Sequence, residues 1–492
     1  MTFLLAQAQG LRPPEVDLGP VLPELILVGT AIAAMLFDAL RPSRDQRLMA
    51  TLSMAGIAAA AGASVWLWSR EGPASVLGGM VAADRFAVFF RLVILGVAAL
   101  AVLLSQHYLE RSGDARGEYY PLLLFCTAGM TLITAAADLI MVFLALEILS
   151  LSLYLLTGFS FRRLASAEAS MKYFLLGAFS SAFFLYGIAL AYGATGTTNL
   201  SEIAGSLSGE LGSVALALGA AGLLAAGFGF KVAAAPFHMW TPDAYQGAPT
   251  CVTAFMSAGT KVAAFGALLR VFMVALSPLT WDWRPFIWVL AALTMAVGSV
   301  LAIAQTDVKR MLAYSSIAHA GFILVGVTAG TQQGMESAMF YLAAYAAMIL
   351  GAFGVVMLVS VRGERHLSLA SYAGLARRSP FLAALMTLFL LSLAGIPPSA
   401  GFIAKFTVFS AAVQAGYWPL ALIAVLLSVV AAFFYIRLIL LMYTQDPEEA
   451  EEVRTPPMAR LAVAIPALLT LLFGVLPSLL FDVLRSASVI TF

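Results

Sequence analysis

From residue 21 to residue 480 the sequence is a succession of apolar runs, most close to 20 residues long, parted by short polar turns. A run of that length spans the ~30 Å hydrocarbon core of a bilayer as an α-helix. Inside lipid, only helices and closed barrels satisfy their own backbone polar groups. The chain is 62% hydrophobic and 11% charged, whereas a water-soluble chain carries roughly a quarter charged residues. These features predict an all-α polytopic membrane protein.

About fourteen transmembrane helices are expected. Three come early, at 21–40, 48–68 and 86–105. Five follow at 119–136, 139–159, 167–192, 213–235 (broken, with an elbow to 246) and 250–274. Five more lie at 286–305, 311–328, 335–361, 380–415 (broken) and 419–443, and the last at 461–480. The expected divisions are therefore 1–112, 113–276, 277–445 and 446–492, the last holding a polar loop and the final helix. The polar, acidic run 446–457 reads as a solvated loop. Residues 1–10 are apolar without a basic start, so no cleaved signal peptide is expected.

Basic residues in short loops set orientation. Arg41, Arg44, Arg47, Arg111, Arg116, Arg162, Arg163, Lys309, Arg310, Arg362, Arg365, Arg377, Arg378, Arg454 and Arg460 fall on one side. Arg12, Arg70, Arg85, Arg270, Arg284 and Arg485 fall on the other. The richer side is expected to be cytoplasmic, which puts both termini on the periplasmic face.

Against this apolar background the stretch 227–261 stands out. An apolar helix acquires a lysine, Lys231, and is then broken by Pro236, which lacks an N–H and clashes with the preceding turn. An elbow with His238, Trp240 and Asp243 follows, and a new helix carries Lys261 in its middle. A lysine at bilayer depth costs about 2.5–3.5 kcal/mol even on the lenient insertion scale. Broken helices with ionisable residues at that depth mark ion paths in transporters. Lys405 lies in the second broken helix, 174 positions after Lys231. Glu147 shifted by 172 lands on His319, and Lys261 shifted by 174 lands on Tyr435. Two units of five helices have opposite orientations because five is odd, which is the inverted-repeat plan. The prolines agree: Pro236 follows Lys231, whereas Pro397 and Pro398 precede Lys405.

Buried lysine, unlike arginine, can give up its proton and take it back, so Lys231, Lys261 and Lys405 read as relay groups. Their plainer reading, snorkelling to the interface, needs a position near a helix end. Glu147 reads as a functional carboxylate, or else as a hydrogen-bonded strut between helices. Lys172 follows Arg162 and Arg163 closely, so snorkelling competes with function there. Glu147 and Lys172 differ in depth by about 10 Å at 1.5 Å per residue, so joining them takes a water bridge or helix tilt. His319 suits a proton shuttle or a hydrogen-bonded core histidine. His238 and Asp243 read as caps and turn partners, and the 20 methionines as packing and lipid-facing residues.

Cofactor chemistry is thinly supported. The two cysteines, Cys126 and Cys251, are too few for an iron–sulfur cluster, and a disulfide or zinc site is equally unsupported. Neither a dinucleotide fingerprint nor a P-loop occurs. The net charge of +1 offers nothing to nucleic acid.

The run K-V-A-A-A-P-F-H-M-W-T-P-D-A-Y-Q-G-A-P-T resembles the signature of the antiporter-like subunits of respiratory complex I and of the related multi-subunit Na⁺/H⁺ antiporters. D-V-K-R-M-L-A-Y-S-S-I-A-H-A-G-F and G-I-P-P-S-A-G-F-I-A-K-F are similar to two further motifs of that family, and the likeness spans residues 119–443. Within the family the chain looks like the subunit N branch of NADH–quinone oxidoreductase. Lys405 stands alone in its broken helix, and no long lateral helix follows the fourteenth. The three early helices suggest a bacterial form, in the cell inner membrane, and a plastid-type branch using ferredoxin and plastoquinone is similar too.

The resemblance implies a hetero-oligomer with other membrane-arm subunits, coupling electron flow from NADH to quinone to proton pumping. It implies Glu147 and Lys172 as a charge pair facing the neighbouring subunit, Lys231 as the central protonatable lysine, Lys261 and His319 as connecting groups, and Lys405 as the exit. The NADH site, FMN, iron–sulfur clusters and quinone site would belong to other subunits, with no cofactor on this chain. Membership of a Na⁺/H⁺ antiporter, or a purely structural membrane subunit, are the competing readings.

Overall fold

The computed structural model describes residues 17–40, 46–70, 75–209, 213–360, 364, 367–446 and 455–490. The N-terminal segment 1–10, the loop residues Arg12, Arg41, Arg44, Arg362, Arg365 and Arg454, and most of the polar run 446–457 lie outside the described residues.

The described chain is a bundle of helices with one short hairpin, β1 (Ser75–Val76) against β2 (Val81–Ala82). Three helices open it: α1 (Leu22–Leu40), α2 (Gln46–Ser69) and α3 (Arg85–Ser112). The first group of five follows as α4 (Tyr119–Ala135), α5 (Leu139–Thr157), α6 (Leu164–Thr195), the broken pair α8 (Val214–Val232) and α9 (Trp240–Gly247), and α10 (Thr250–Arg270). A short helix, α7 (Leu200–Leu207), links α6 to α8. The second group is α11 (Thr280–Ile303), α12 (Val308–Ala329), α13 (Gln332–Val359), the broken pair α14 (Pro380–Ala394) and α15 (Ala400–Gln414), and α16 (Trp418–Thr444). Helices α17 (Pro457–Val475) and α18 (Ser478–Ala487) close the fold. Twelve of these segments are long and apolar enough to cross a membrane, and α4, α14 and α15 are shorter apolar helices. With α14 and α15 taken as one broken crossing, fourteen crossings result.

Several boundaries differ from expectation, α3 for one running on to Ser112 rather than ending at 105. Helix α11 starts at Thr280 rather than at 286, with Pro285 accommodated inside it. The last apolar run divides at Leu476–Pro477, because Pro477 has no N–H to continue α17, and α18 starts afresh. Two basic residues placed in loops are also fully buried: Lys309 lies in the first turn of α12, and Arg270 at the end of α10 forms an ion pair with Asp84.

The repeat is written in the backbone as well as in the lysines. Asp138 caps α5 and Asp307 caps α12, each accepting a backbone N–H of the first turn through its side chain. Each also forms an isolated bridge, Asp138 with Asn199 and Asp307 with Ser368. In the first, Leu139 N–H donates to Thr198 O and Leu200 N–H to Ala137 O, both at 2.9 Å. In the second, Val308 N–H donates to Leu367 O and Leu369 N–H to Thr306 O, both at 2.8 Å. All four partners are displaced by the same 169 positions. Five crossings, α5, α6, the α8–α9 pair, α10 and α11, separate the two bridges, so they lie on opposite faces of the bundle. The five-helix repeats are therefore inverted.

Burial is graded across the bundle. The apolar windows of α13, α12 and α10 are 100%, 94% and 89% buried inside the chain, against 33% for α6 and for α16. The helices carrying Lys261 and His319 thus form the interior. Helices α6 and α16 turn large apolar side chains outward, among them Phe179 and Val429.

Candidate functional site

The break after α8 exposes helix-end carbonyls that need donors. Ala233 adopts a left-handed conformation (φ 61°) and the Ala235–Pro236 bond is cis, turning the chain into the elbow. Trp240 Nε1 donates to Phe230 O at 2.9 Å and Ala234 N–H to Gly229 O at 2.7 Å. The last carbonyl, that of Val232, accepts from Lys261 Nζ at 3.3 Å. The second break follows the same rule. Gly395 is left-handed (φ 90°), Pro397–Pro398 is cis, and the last carbonyl of α14, Ala394 O, accepts from Lys405 Nζ at 2.8 Å. A cation at a helix C-terminus is favoured by the helix dipole, so each break builds a seat for a lysine.

Lys231 is the next-to-last residue of α8 and is 6% exposed. Its Nζ donates to Ser150 Oγ at 2.6 Å, within reach of the Tyr154 and Tyr173 rings at 5.8 and 5.9 Å. Ser150 stands three residues after Glu147 on α5, on the same helix face. Glu147 is half-buried, and its Oε1 accepts from Ser181 Oγ of α6 at 2.5 Å. Lys261 donates a second time, to the carbonyl of Ser316 on α12, whose hydroxyl accepts from Tyr345 at 2.8 Å. His319 follows three residues later. Its Nδ1 lies 2.7 Å from the Tyr341 hydroxyl and its Nε2 3.2 Å from that of Tyr435, which also bonds Ser315. Lys405 donates to Ser428 Oγ at 2.8 Å and stands 4.8 Å over the Phe322 ring, which neighbours His319. Among the described residues none of the three lysines is ion-paired with a carboxylate. Carbonyls, hydroxyls and aromatic faces hold them, and these partners accept from an ammonium without balancing its charge.

Lys231, Lys261, His319 and Lys405 are therefore brought into one interior row, with half-buried Glu147 at its edge, one turn along α5 from Ser150. Lys172 is not. Its Nζ lies 2.7 Å from Glu168 and 3.0 Å from Asp243, at the rim of an open cleft of about 280 Å³. Asp243 also takes Arg310 at 2.7 Å, so this elbow residue joins α6, α9 and α12 rather than only shaping a turn. The hydroxyls of Ser150, Ser181 and Ser428 and of Tyr341 belong to the row without having been singled out in the sequence; only the spacing of Ser150 from Glu147 hinted at one. Cys126 and Cys251 are separate buried thiols, and among the described residues no group of three or more His, Cys, Asp or Glu side chains is placed to hold a metal.

The transmembrane family described as "NADH:quinone oxidoreductase/Mrp antiporter" matches residues 136–431, which hold the whole row. The NADH-quinone oxidoreductase subunit N of Trichlorobacter lovleyi is 47% identical over 96% of this chain and 97% of its own. This chain belongs to the subunit N family of NADH-quinone oxidoreductase. A chain of respiratory complex I from Thermus thermophilus superposes with a TM-score of 0.80 at 38% identity, covering 94% of this chain and 99% of that one. A chain of the Mrp complex from a Dietzia species superposes with a TM-score of 0.83 at 23% identity, covering 95% of this chain and 97% of that one, and shares the fold. The antiporter-like architecture and a place among other membrane subunits follow from this kinship.

Proposed function

We propose that this chain is a proton-translocating membrane subunit of NADH-quinone oxidoreductase, and that Glu147, Lys231, Lys261, His319 and Lys405 carry the protons. The observation that supports this most is the row itself: Lys231 on Ser150, one turn along α5 from half-buried Glu147, then Lys261 on Val232 O and Ser316 O, His319 between Tyr341 and Tyr435, and Lys405 over the Phe322 ring that packs on His319. A relay needs groups that hold a proton without a fixed counter-ion, and hydroxyl or carbonyl partners that serve both charge states nearby. Glu147 lies on α5 beside the outward-facing Leu144, Ile148 and Leu151. A neighbouring subunit on that face would set its charge state and, through Ser150, the proton affinity of Lys231. Lys172 would act at the rim, through Asp243 and the elbow, rather than by touching Glu147.

Redox chemistry belongs to other subunits in this reading: NADH, FMN, iron–sulfur clusters and quinone are theirs. The membrane is the bacterial inner membrane, with the end of α12 carrying Lys309 and Arg310 cytoplasmic and both termini periplasmic.

The test is to isolate the tagged chain in mild detergent and assay the particle. Flavin, iron–sulfur subunits and NADH–quinone activity support the reading. A particle holding only small antiporter-type subunits would overturn it in favour of cation/proton exchange.

A further inference from the structure

Apart from the relay, a dense knot of buried charge among the described residues gathers on Glu364, in the loop after α13. Its side chain is 2% exposed. Oε1 accepts from the Tyr108 hydroxyl at 2.6 Å, the Thr250 backbone N–H at 2.5 Å and the Thr250 hydroxyl at 2.7 Å. Oε2 lies 3.0 Å from Lys309 Nζ and 3.0 Å from Arg163 Nη1. Lys309, itself fully buried, donates also to Ala248 O at 2.6 Å, just after the elbow helix α9. One carboxylate thus gathers α3, the turn before α6, and the first turns of α10 and α12.

Two features make this more than one ion pair among many. Helix α10 opens behind Pro249 with no side-chain cap of its own, so its first N–H groups and positive dipole end call for an anion from elsewhere. Glu364 supplies it. Burial works to raise this carboxyl, yet Lys309, Arg163 and the hydrogen bonds from Tyr108 and Thr250 hold it below the ordinary glutamate value, so the anion is maintained. The same two helices meet again deeper in the bundle, where Lys261 of α10 donates to Ser316 O of α12. Lys261 lies eleven residues beyond Thr250 and Ser316 seven beyond Lys309. At 1.5 Å per residue these are arms of about 16 and 10 Å from the same anchor.

We propose that Glu364 is a positioning residue for the relay: by tying the first turns of α10 and α12 to one carboxylate, it fixes the relative height of the two helices and so the reach of Lys261 to Ser316. This rests on the relay reading above.

The test uses the intact complex in inverted membrane vesicles, with protons taken up per NADH oxidised recorded against pH. Glu364→Ala is combined with Lys309→Met so that no lone ammonium is left buried, and is compared with Glu364→Gln alone, which keeps an acceptor for Thr250 and Lys309. The alanine pair should lower the ratio about threefold or more and move the pH of half-maximal pumping by about one unit, the change expected when an ammonium loses one hydrogen bond. Glu364→Gln alone should keep both near the parent values. An unchanged ratio overturns the proposal. So does a lowered ratio with an unmoved pH profile, which would make Glu364 only a structural tie. Should the alanine pair fail to assemble, Thr250→Ala removes one hydrogen bond and no charge. A smaller pH shift in the same direction supports the proposal, and no shift overturns it. Absence of NADH-driven pumping in the unsubstituted vesicles would instead contradict the functional reading itself.

Discussion

Lys261 and Lys405 occupy the same chemical seat: each donates to the last carbonyl of a broken half-helix, Val232 O at 3.3 Å and Ala394 O at 2.8 Å. They are not repeat mates by position, since Lys261 corresponds to Tyr435. The inverted repeat has therefore reached the same seat from two sides, once with a lysine from the following helix and once with a lysine from the second half of the broken helix itself. A helix-end carbonyl holds an ammonium but does not neutralise it, so either lysine can release its proton and remain hydrogen-bonded.

Gly395 shows how tightly the second seat is built. Its φ of 90° disfavours any side chain, and a Cβ there would lie 2.9 Å from Lys405 Cδ. Gly395→Ala should cost about 1–3 kcal/mol in backbone strain and push Lys405 off Ala394 O. Proton uptake per NADH should fall while the assembled complex still oxidises NADH. Unimpaired uptake would show that Lys405 does not need this seat.

Ser150 is the predicted switch point between Glu147 and Lys231. Ser150→Ala removes the hydroxyl that accepts from Lys231 and should slow pumping about tenfold, the worth of one hydrogen bond to a charged group. Ser150→Thr, which keeps the hydroxyl, should retain most of it. Equal rates in the two variants would remove Ser150 from the path.

Much of this was legible beforehand. Lys231, Lys261 and Lys405 announce themselves because a charge within an apolar helix has no cheap alternative there. The broken helices follow from proline. The inverted plan follows from spacing, later matched by the Asp138 and Asp307 bridges. Serine is different: Ser150 is as content bonding its own helix, here Leu146 O, as a neighbour, so sequence alone does not reveal its second partner. Lys309 reads as a loop charge and Glu364 is not singled out in the sequence, because their burial depends on four separate elements meeting. Lys172 was open between rim and interior, and tertiary pairing with Asp243 keeps it at the rim.

The N-terminal helices are pinned by charge as well. Arg91 of α3 donates to Glu24 of α1 at 2.8 and 3.2 Å, with side chains 1% and 7% exposed. Glu24→Ala strips a buried guanidinium of its counter-ion and should destabilise the protein by about 3–5 kcal/mol. Less assembled complex on native gels and a lowered melting temperature are expected. An unshifted melt would contradict the ion pair's structural role.

Acid should weaken the Glu364 knot. Unfolded, this carboxyl takes its ordinary value of about 4.3. Its folded value is held lower by Lys309 and Arg163 against the upward push of burial, so its stabilisation is complete above that ordinary value and is lost as pH falls below it. Thermal stability of the purified protein should drop from about pH 5 downward. Glu364→Gln should flatten that slope, and an identical slope in the variant would place the acid sensitivity elsewhere.

The most direct test of the relay is Lys231→Ala in the assembled complex, with NADH oxidation and proton uptake measured together in inverted vesicles. Lys231 bonds Ser150, one turn along α5 from Glu147, and the next residue, Val232, receives Lys261 in the interior. Loss of proton uptake with the complex intact is the result a relay through Lys231 requires. Full uptake per NADH in that variant would mean that the protons take another route.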